Sequence, residues 1–138
     1  MEMLNHYKKQ LKLLFPLLFL FGLAACVTKS VYKDLEVLDK DKADGFVYMA
    51  ADYDFYDNPI IDFDQATKVA AQQCKNWLYK GATPLEGYDL TCIVGTEQDC
   101  ERYQVVYTYQ CLTAQDLKDY DAGVFKLKAK KDRPKKSS

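Results

Sequence analysis

The spacing of hydrophobic positions changes several times along the chain, and each change marks a different element. Residues 14–26, LFPLLFLFGLAAC, are apolar without any period. The next stretch, KSVYKDLEVLDKDKADG, is dominated by charge. Val31, Leu35 and Leu38 fit one face of a short helix, but a flexible tether with an r.m.s. reach of roughly 25 Å is the simpler reading. From Phe46 the pattern alternates. Phe46, Tyr48, Ala50 and Asp52 fall on one face, and Val47, Met49, Ala51, Tyr53 and Phe55 on the other, which predicts a strand with Asp52 and Asp54 pointing out near its end. Asp57-Asn58-Pro59 has turn chemistry.

The period then becomes helical. Ala66, Val69, Ala70, Cys74, Trp77 and Leu78 share a face, Asp62 suits the N-cap, and Gln65 stands where a capping-box partner belongs. Gly81 fits the position just past the end, so the spacing predicts a helix over 63–79. Two further strands follow. Tyr88, Leu90, Cys92 and Val94 share one face of the first. In the second, Tyr103, Val105, Tyr107, Tyr109 and Cys111 alternate with Gln104, Thr108 and Gln110, which predicts one buried and one wet face. Residues 95–99 form the loop between them, and Thr113 with Asp116 caps a last short turn. The expected fold class is α+β: a small antiparallel sheet of about three strands packed on one helix, in the order β-α-β-β, stapled by two disulfides.

The apolar run at the start follows Lys8, Lys9 and Lys12 and ends on small residues, which is the secretory signal pattern and too short for a comfortable membrane span. Leu23-Ala24-Ala25-Cys26 resembles the lipobox of bacterial lipoproteins. That resemblance implies cleavage before Cys26 and acylation of its thiol and new amino terminus with chains such as palmitate. One acyl chain anchors only marginally, at roughly 0.8 kcal/mol per buried methylene, whereas several on one residue hold durably. Val27, a residue other than Asp after the lipidated cysteine, points by the same resemblance to the periplasmic face of the outer membrane rather than to the inner membrane or the cell surface.

Net charge near zero hides an asymmetry. Residues 26–125 carry 18 acidic and 9 basic side chains, whereas 126–138 carry seven basic residues against Asp132 alone. This pattern excludes a nucleic-acid binder and a uniformly acidic disordered chain. The chain divides into a leader (1–25), a lipidated tether (26–45), a globular domain (46–113), and a short turn with a basic disordered tail (114–138).

An ordered unit of this size in an exported protein needs staples, and Cys74, Cys92, Cys100 and Cys111 fit two disulfides. A single strand between Cys100 and Cys111 would hold them roughly 30 Å apart, far beyond the ~7 Å limit between bonded α-carbons. Two pairings survive: Cys74–Cys111 with Cys92–Cys100, or Cys74–Cys100 with Cys92–Cys111. The first is preferred, with Cys100 placed in the loop or beside a bulge. Zinc is the alternative use of four thiols, but the chain has no CxxC pair.

Asp62, the segment ATKVAAQQCKNWLYKGA, Cys92, Cys100 and VVYTYQC together resemble the YecR-like lipoprotein family. The shared features are an Ala-rich helix leading to Cys-x-x-Trp-x-Tyr, two spaced cysteines and a closing Val-x-x-x-Tyr-Gln-Cys. Leu78 departs from the family, which tends to have Gly between the Trp and the Tyr. The resemblance implies a small cell-envelope lipoprotein, some relatives of which are expressed with the flagellar regulon. It carries over no catalytic residue.

The residue inventory narrows the chemistry. The single histidine, His6, lies in the leader, and the serines after Cys26 are Ser30, Ser137 and Ser138, so a Ser-His-Asp site is excluded. No catalytic residue, metal site or cofactor is expected. Asp52, Asp54, Asp57, Asp62 and Asp64 form an acidic run that fails the EF-hand pattern and reads as edge, turn and cap residues, with weak calcium binding as the alternative. Tyr53, Tyr103, Tyr107 and Tyr109 read as core before they read as a binding platform. The basic tail suits anionic headgroups or envelope polymers, or plain solvation. The expected function is a non-enzymatic, lipid-anchored envelope accessory or binding protein linked to motility or surface assembly. Its expected partners are the membrane, through acylated Cys26, and an envelope protein or polymer, with no nucleic acid. The alternative is a periplasmic lysozyme-inhibitor-like lipoprotein, against which the predicted helix argues.

Overall fold

The computed structural model describes residues 28–129. The leader, Cys26 and the last nine residues of the basic tail lie outside the described residues. In chain order the elements are β1 (Lys29–Lys33), β2 (Glu36–Asp41), β3 (Phe46–Asp54), β4 (Asp57–Ile61), α1 (Phe63–Lys75), β5 (Gly81–Pro84), β6 (Asp89–Gly95), β7 (Cys100–Leu112) and α2 (Ala114–Asp121).

The long strand β7 organises the sheet. β3 pairs with it along one edge, from Phe46 opposite Gln110 to Asp54 opposite Arg102. β5 and β6 share its other edge, β5 beside residues 109–112 and β6 beside residues 100–106. β2 completes the five-stranded antiparallel sheet on the outer side of β3. The mixed α+β class holds, but the sheet is larger than the three strands expected, because β2 and β5 belong to it.

The supposed tether is therefore mostly folded. β2 is an edge strand rich in charge, with Glu36 and Lys40 exposed and Asp39 and Asp41 half-buried, which is why it reads as linker. Leu35, just before it, is only 1% exposed and lies in the core with Val47, Met49, Ala51 and Tyr109. Burying one such leucine contributes roughly 1.5–3 kcal/mol. β1 pairs in parallel with β4 in a separate two-stranded ribbon. The predicted turn falls slightly earlier than expected, at Phe55 and Tyr56, and Asp57-Asn58-Pro59 opens β4. Pro59 is tolerated there because a two-stranded ribbon leaves one edge of each strand unpaired.

Helix α1 packs across one sheet face through Ala66, Ala70 and Cys74, all fully buried. Small side chains four residues apart let the helix approach Tyr109 and Cys111 closely. Asp62 caps its start by accepting from Gln65 N at 2.9 Å. The reciprocal half of the capping box does not form, and Gln65 Oε1 is buried without a partner. The helix ends at Lys75, four residues before the expected end. Tyr79 N donates to Cys74 O at 3.1 Å and Leu78 N to Lys75 O at 2.9 Å, a Schellman-type closure around Leu78. Leu78 takes a left-handed φ of 71° and is 90% exposed, so it is not on the apolar face, and Gly81 instead begins β5.

The opposite sheet face is not wet, as the alternation suggested. Phe46, Tyr48, Ala50, Leu85 and Val106 form a second buried cluster there, flanked by Leu38. Thr108 and Gln110 are each 1% exposed. Two features account for this. Leu85, between β5 and β6, folds onto this face and donates its N–H to Thr108 O at 2.8 Å. The chain after α2 also crosses back: Lys128 N donates to Gln110 Oε1 at 2.7 Å, and Lys128 Nζ donates to Asp44 O at 3.0 Å while lying 6.0 Å from the centre of the Phe46 ring. The start of the basic tail is thus a strap on the domain. The last short turn is a two-turn helix, α2, with a complete Thr113–Asp116 capping box.

Cys74 is bonded to Cys111 and Cys92 to Cys100, with α-carbons 5.4 and 5.8 Å apart. This is the first of the two pairings that strand geometry allows, and it leaves none of the four thiols for zinc. The register of β6 on β7 shifts on both sides of Val94, and this irregularity brings Cys92 and Cys100 together.

The two bonds close chain segments of 37 and 8 residues. Chain entropy then assigns about 4 kcal/mol to Cys74–Cys111 and about 2.5 kcal/mol to Cys92–Cys100. Denaturant titrations should show Cys74→Ser and Cys111→Ser destabilised alike, and both more than Cys92→Ser; equal losses from all three would contradict this ranking. At the helix end, a left-handed non-glycine residue costs about 1–2 kcal/mol and glycine carries a smaller entropic cost. Leu78→Gly should therefore raise stability by about 1 kcal/mol, read as a higher melting temperature.

Candidate functional site

The helix covers only part of its sheet face. Its buried stripe begins at Ala66, so Tyr109 and Cys111 are sealed beneath it, while Tyr103 and Tyr107, nearer the start of β7, are half-buried. Strand alternation places Tyr103 and Tyr107 on the same side, and register sets Tyr53 of β3 directly opposite Tyr103. The Tyr53 and Tyr103 rings stack with centroids 5.8 Å apart, and Phe55 lies 6.4 Å from Tyr103. Further along, Tyr107 meets Phe63 of α1 edge-on at 5.0 Å and Tyr88 at 5.7 Å. Phe55, Phe63 and Tyr88 are all exposed, so the result is an aromatic surface made of two neighbouring groups of rings beside the start of the helix.

The tyrosine stripe thus splits. Tyr109 is core, as the period suggested, whereas Tyr53, Tyr103 and Tyr107 line a surface that Tyr88, Phe55 and Phe63 extend. Sequence reasoning missed the last three as a group because they come from a loop edge, a turn and a helix start. The visible signals were the period-2 placement of Phe55 with Tyr53 and of Tyr88 with Leu90.

Burial raises the pKa of Tyr107 and Tyr53, and neighbouring tyrosine hydroxyls, Tyr88 foremost, add to the rise. Burial also raises Tyr109, partly offset by the Thr67 hydroxyl beside it. These rings favour the neutral phenol, which suits packing and hydrogen bonding rather than proton transfer.

The acidic run does not converge. Asp52 accepts from Gln104 Nε2 at 3.0 Å, and Asp54 accepts from Arg102 Nε at 2.9 Å across β3 and β7. The Asp54 carboxylate raises the Arg102 pKa, first through that hydrogen bond. Both partners are more than half exposed, so solvent screens the pair. Asp62 is the helix cap and Asp57 opens β4. Among the described residues no group of three or more His, Cys, Asp or Glu side chains is placed to hold a metal ion.

A family model described as YecR-like lipoprotein matches residues 34–112. The chain belongs to this family. No curated protein matches it. The YecR-like span begins at Asp34 rather than at Phe46, so it takes in Leu35 and β2, the elements first read as tether. It closes at Leu112, the last residue of β7. The five-stranded sheet, α1, both disulfides and the whole aromatic surface lie inside it, whereas β1, α2 and the Lys128 strap lie outside. Membership in a lipoprotein family associates the chain with the cell envelope through a membrane anchor. Among the described residues no helix is long and apolar enough to cross a membrane.

The buried phenols link stability to alkaline pH. Below the ordinary tyrosine value of 10.0 the hydroxyls are protonated in both folded and unfolded chains. Above it the unfolded chain ionises first, so stability is lost as pH rises through the higher folded-state values. The melting temperature should fall above pH 10.0, and Tyr109→Phe should make that fall shallower. An unchanged pH profile in Tyr109→Phe would refute the linkage.

Proposed function

We propose that this YecR-like protein is a non-enzymatic accessory lipoprotein, anchored through acylated Cys26 on the periplasmic face of the outer membrane, that holds another envelope protein against its aromatic surface. The observation that supports this most is the surface itself: Tyr53 stacked on Tyr103, and beside them Tyr107 packed with the exposed rings of Phe63 and Tyr88. An exposed apolar patch on a small domain marks an interaction site, and tyrosines suit one because each ring offers a large contact area and a polar tip. The surrounding charge narrows the partner. Asp54, Asp62, Asp64 and Glu101 are exposed around this surface, which disfavours acidic polymers and suits a protein with neutral or basic contacts. Absence of catalysis rests on the inventory, since no histidine follows His6 and Ser30, in β1, has no imidazole to activate it. The setting in motility or surface assembly comes from the family resemblance. Lysozyme inhibition is the less supported reading, because α1 packs across the sheet.

Two experiments test the proposal. Cys26→Ala should release the protein from the membrane fraction or leave its leader uncut; membrane-bound protein with an unmodified Cys26 would sink the anchor. Affinity capture from detergent-solubilised envelopes should recover a protein with the wild-type chain and lose it with Tyr88→Ala plus Tyr103→Ala. Capture that survives this double change, or inhibition of lysozyme by the purified chain, would count against the aromatic surface as the site.

A further inference from the structure

The end of the domain that carries the anchor also carries an exposed aromatic pair. The described chain begins at Thr28 and β1 begins at Lys29, so only Val27 and Thr28 separate Cys26 from the first strand. Three residue steps reach at most about 11 Å. β1 is parallel to β4, and Lys29 stands opposite Asp57, a spacing of about 5 Å. Tyr56 and Phe55 immediately precede Asp57. The acylated cysteine and the turn between β3 and β4 are therefore neighbours, at the same end of the molecule.

That turn is built to present its rings. Phe55 is 56% and Tyr56 77% exposed, and their centroids lie 5.1 Å apart, edge to face. Phe55 N donates to Glu101 O at 2.9 Å, which ties the turn to the start of β7. The polar layer of a bilayer is roughly 5–8 Å thick on each side of its hydrocarbon. An attachment this short keeps the turn within reach of that layer, and aromatic rings are favoured there.

We propose that Phe55 and Tyr56 insert into the headgroup layer of the membrane that holds the acyl chains, so that the domain docks end-on rather than moving freely on a leash. This rests on acylation of Cys26. Local charge specifies the lipid. Asp54 is paired to Arg102 and Asp57 stands opposite Lys29, which leaves Glu101 as the one uncompensated charge beside the turn, so the tip is close to neutral and suits zwitterionic headgroups. The far end of the sheet, where Leu78 lies beside Tyr79 and Gly45, is roughly 27 Å away along β3 and faces outward.

The test uses the full chain, expressed with its leader and purified from membranes in detergent, carrying Trp77→Phe, which removes its one tryptophan. Phe55→Trp, Tyr56→Trp and Leu78→Trp are each added singly and the chains incorporated into phosphatidylcholine vesicles with brominated acyl chains. Tryptophan emission should shift to the blue and be quenched in Phe55→Trp and Tyr56→Trp, and should do neither in Leu78→Trp. Vesicle-bound chains in which neither tip variant is quenched would overturn the docking while leaving the anchor standing. Quenching confined to vesicles containing phosphatidylglycerol would overturn the choice of lipid. Chains that fail to sediment with vesicles would show that Cys26 is not acylated, and both readings would fall together.

Discussion

Every other part of the domain is positioned by the pairing of β7 on both edges. β3 runs beside it for nine registered pairs, and β5 and β6 divide its other edge. A strand held on both sides cannot slip by one residue without exchanging the side chains of its two faces. Its alternation therefore fixes which tyrosines lie under the helix and which lie beside it. The Cys74–Cys111 bond adds the third dimension, joining α1 to the end of that strand. Because the joint is at the end of the helix, the start of α1 stops short of Tyr103 and Tyr53. The aromatic surface is the part of the sheet that a helix of this length, fastened at that point, does not cover.

Elements whose side chains obey a single period were legible in the sequence. β3, β6, β7 and α1 stand where alternation and helical spacing put them, α1 because it buries one face and the strands because their alternation matches the pleat, although β6 itself has no buried residue. Elements that depend on a partner were not. β2 reads as linker because this edge strand is rich in charged residues, and the two-residue spacing of Leu35 and Val37 is too short to outweigh them. β5 is four residues with a proline, and only Leu112 to Tyr109 opposite gives it a reason to be a strand. The early end of α1 was hidden by Leu78, since a left-handed leucine is the rarer choice and Gly81 offered a more familiar stop.

The polar face of β7 was misread for a related reason. Thr108 and Gln110 alternate as solvent-facing residues do, yet they are covered by Leu85 and by the chain around Lys128, many residues away. Alternation reports the chemistry of a side chain, not what later folds over it. Gln110 meets that burial by accepting from Lys128 N, whereas Thr108 Oγ1 has no hydrogen-bond partner. The candidate site shows the same limit. Its acidic residues were visible and proved to be caps and cross-strand partners, while its aromatic members only become neighbours through topology.

The divided edge formed by β5 and β6 has a consequence for a domain held at a membrane. An uninterrupted outer strand offers a row of free amides and carbonyls on which a neighbouring chain can crystallise into a growing sheet. Here that row is broken at residues 85–88, between the two strands, and Pro84 supplies no amide at the break. Gly87, with φ of 76°, turns the backbone out of the sheet plane. Crowded together on one leaflet, many copies of this domain would find no continuous template on this edge, which favours dispersed molecules over fibres.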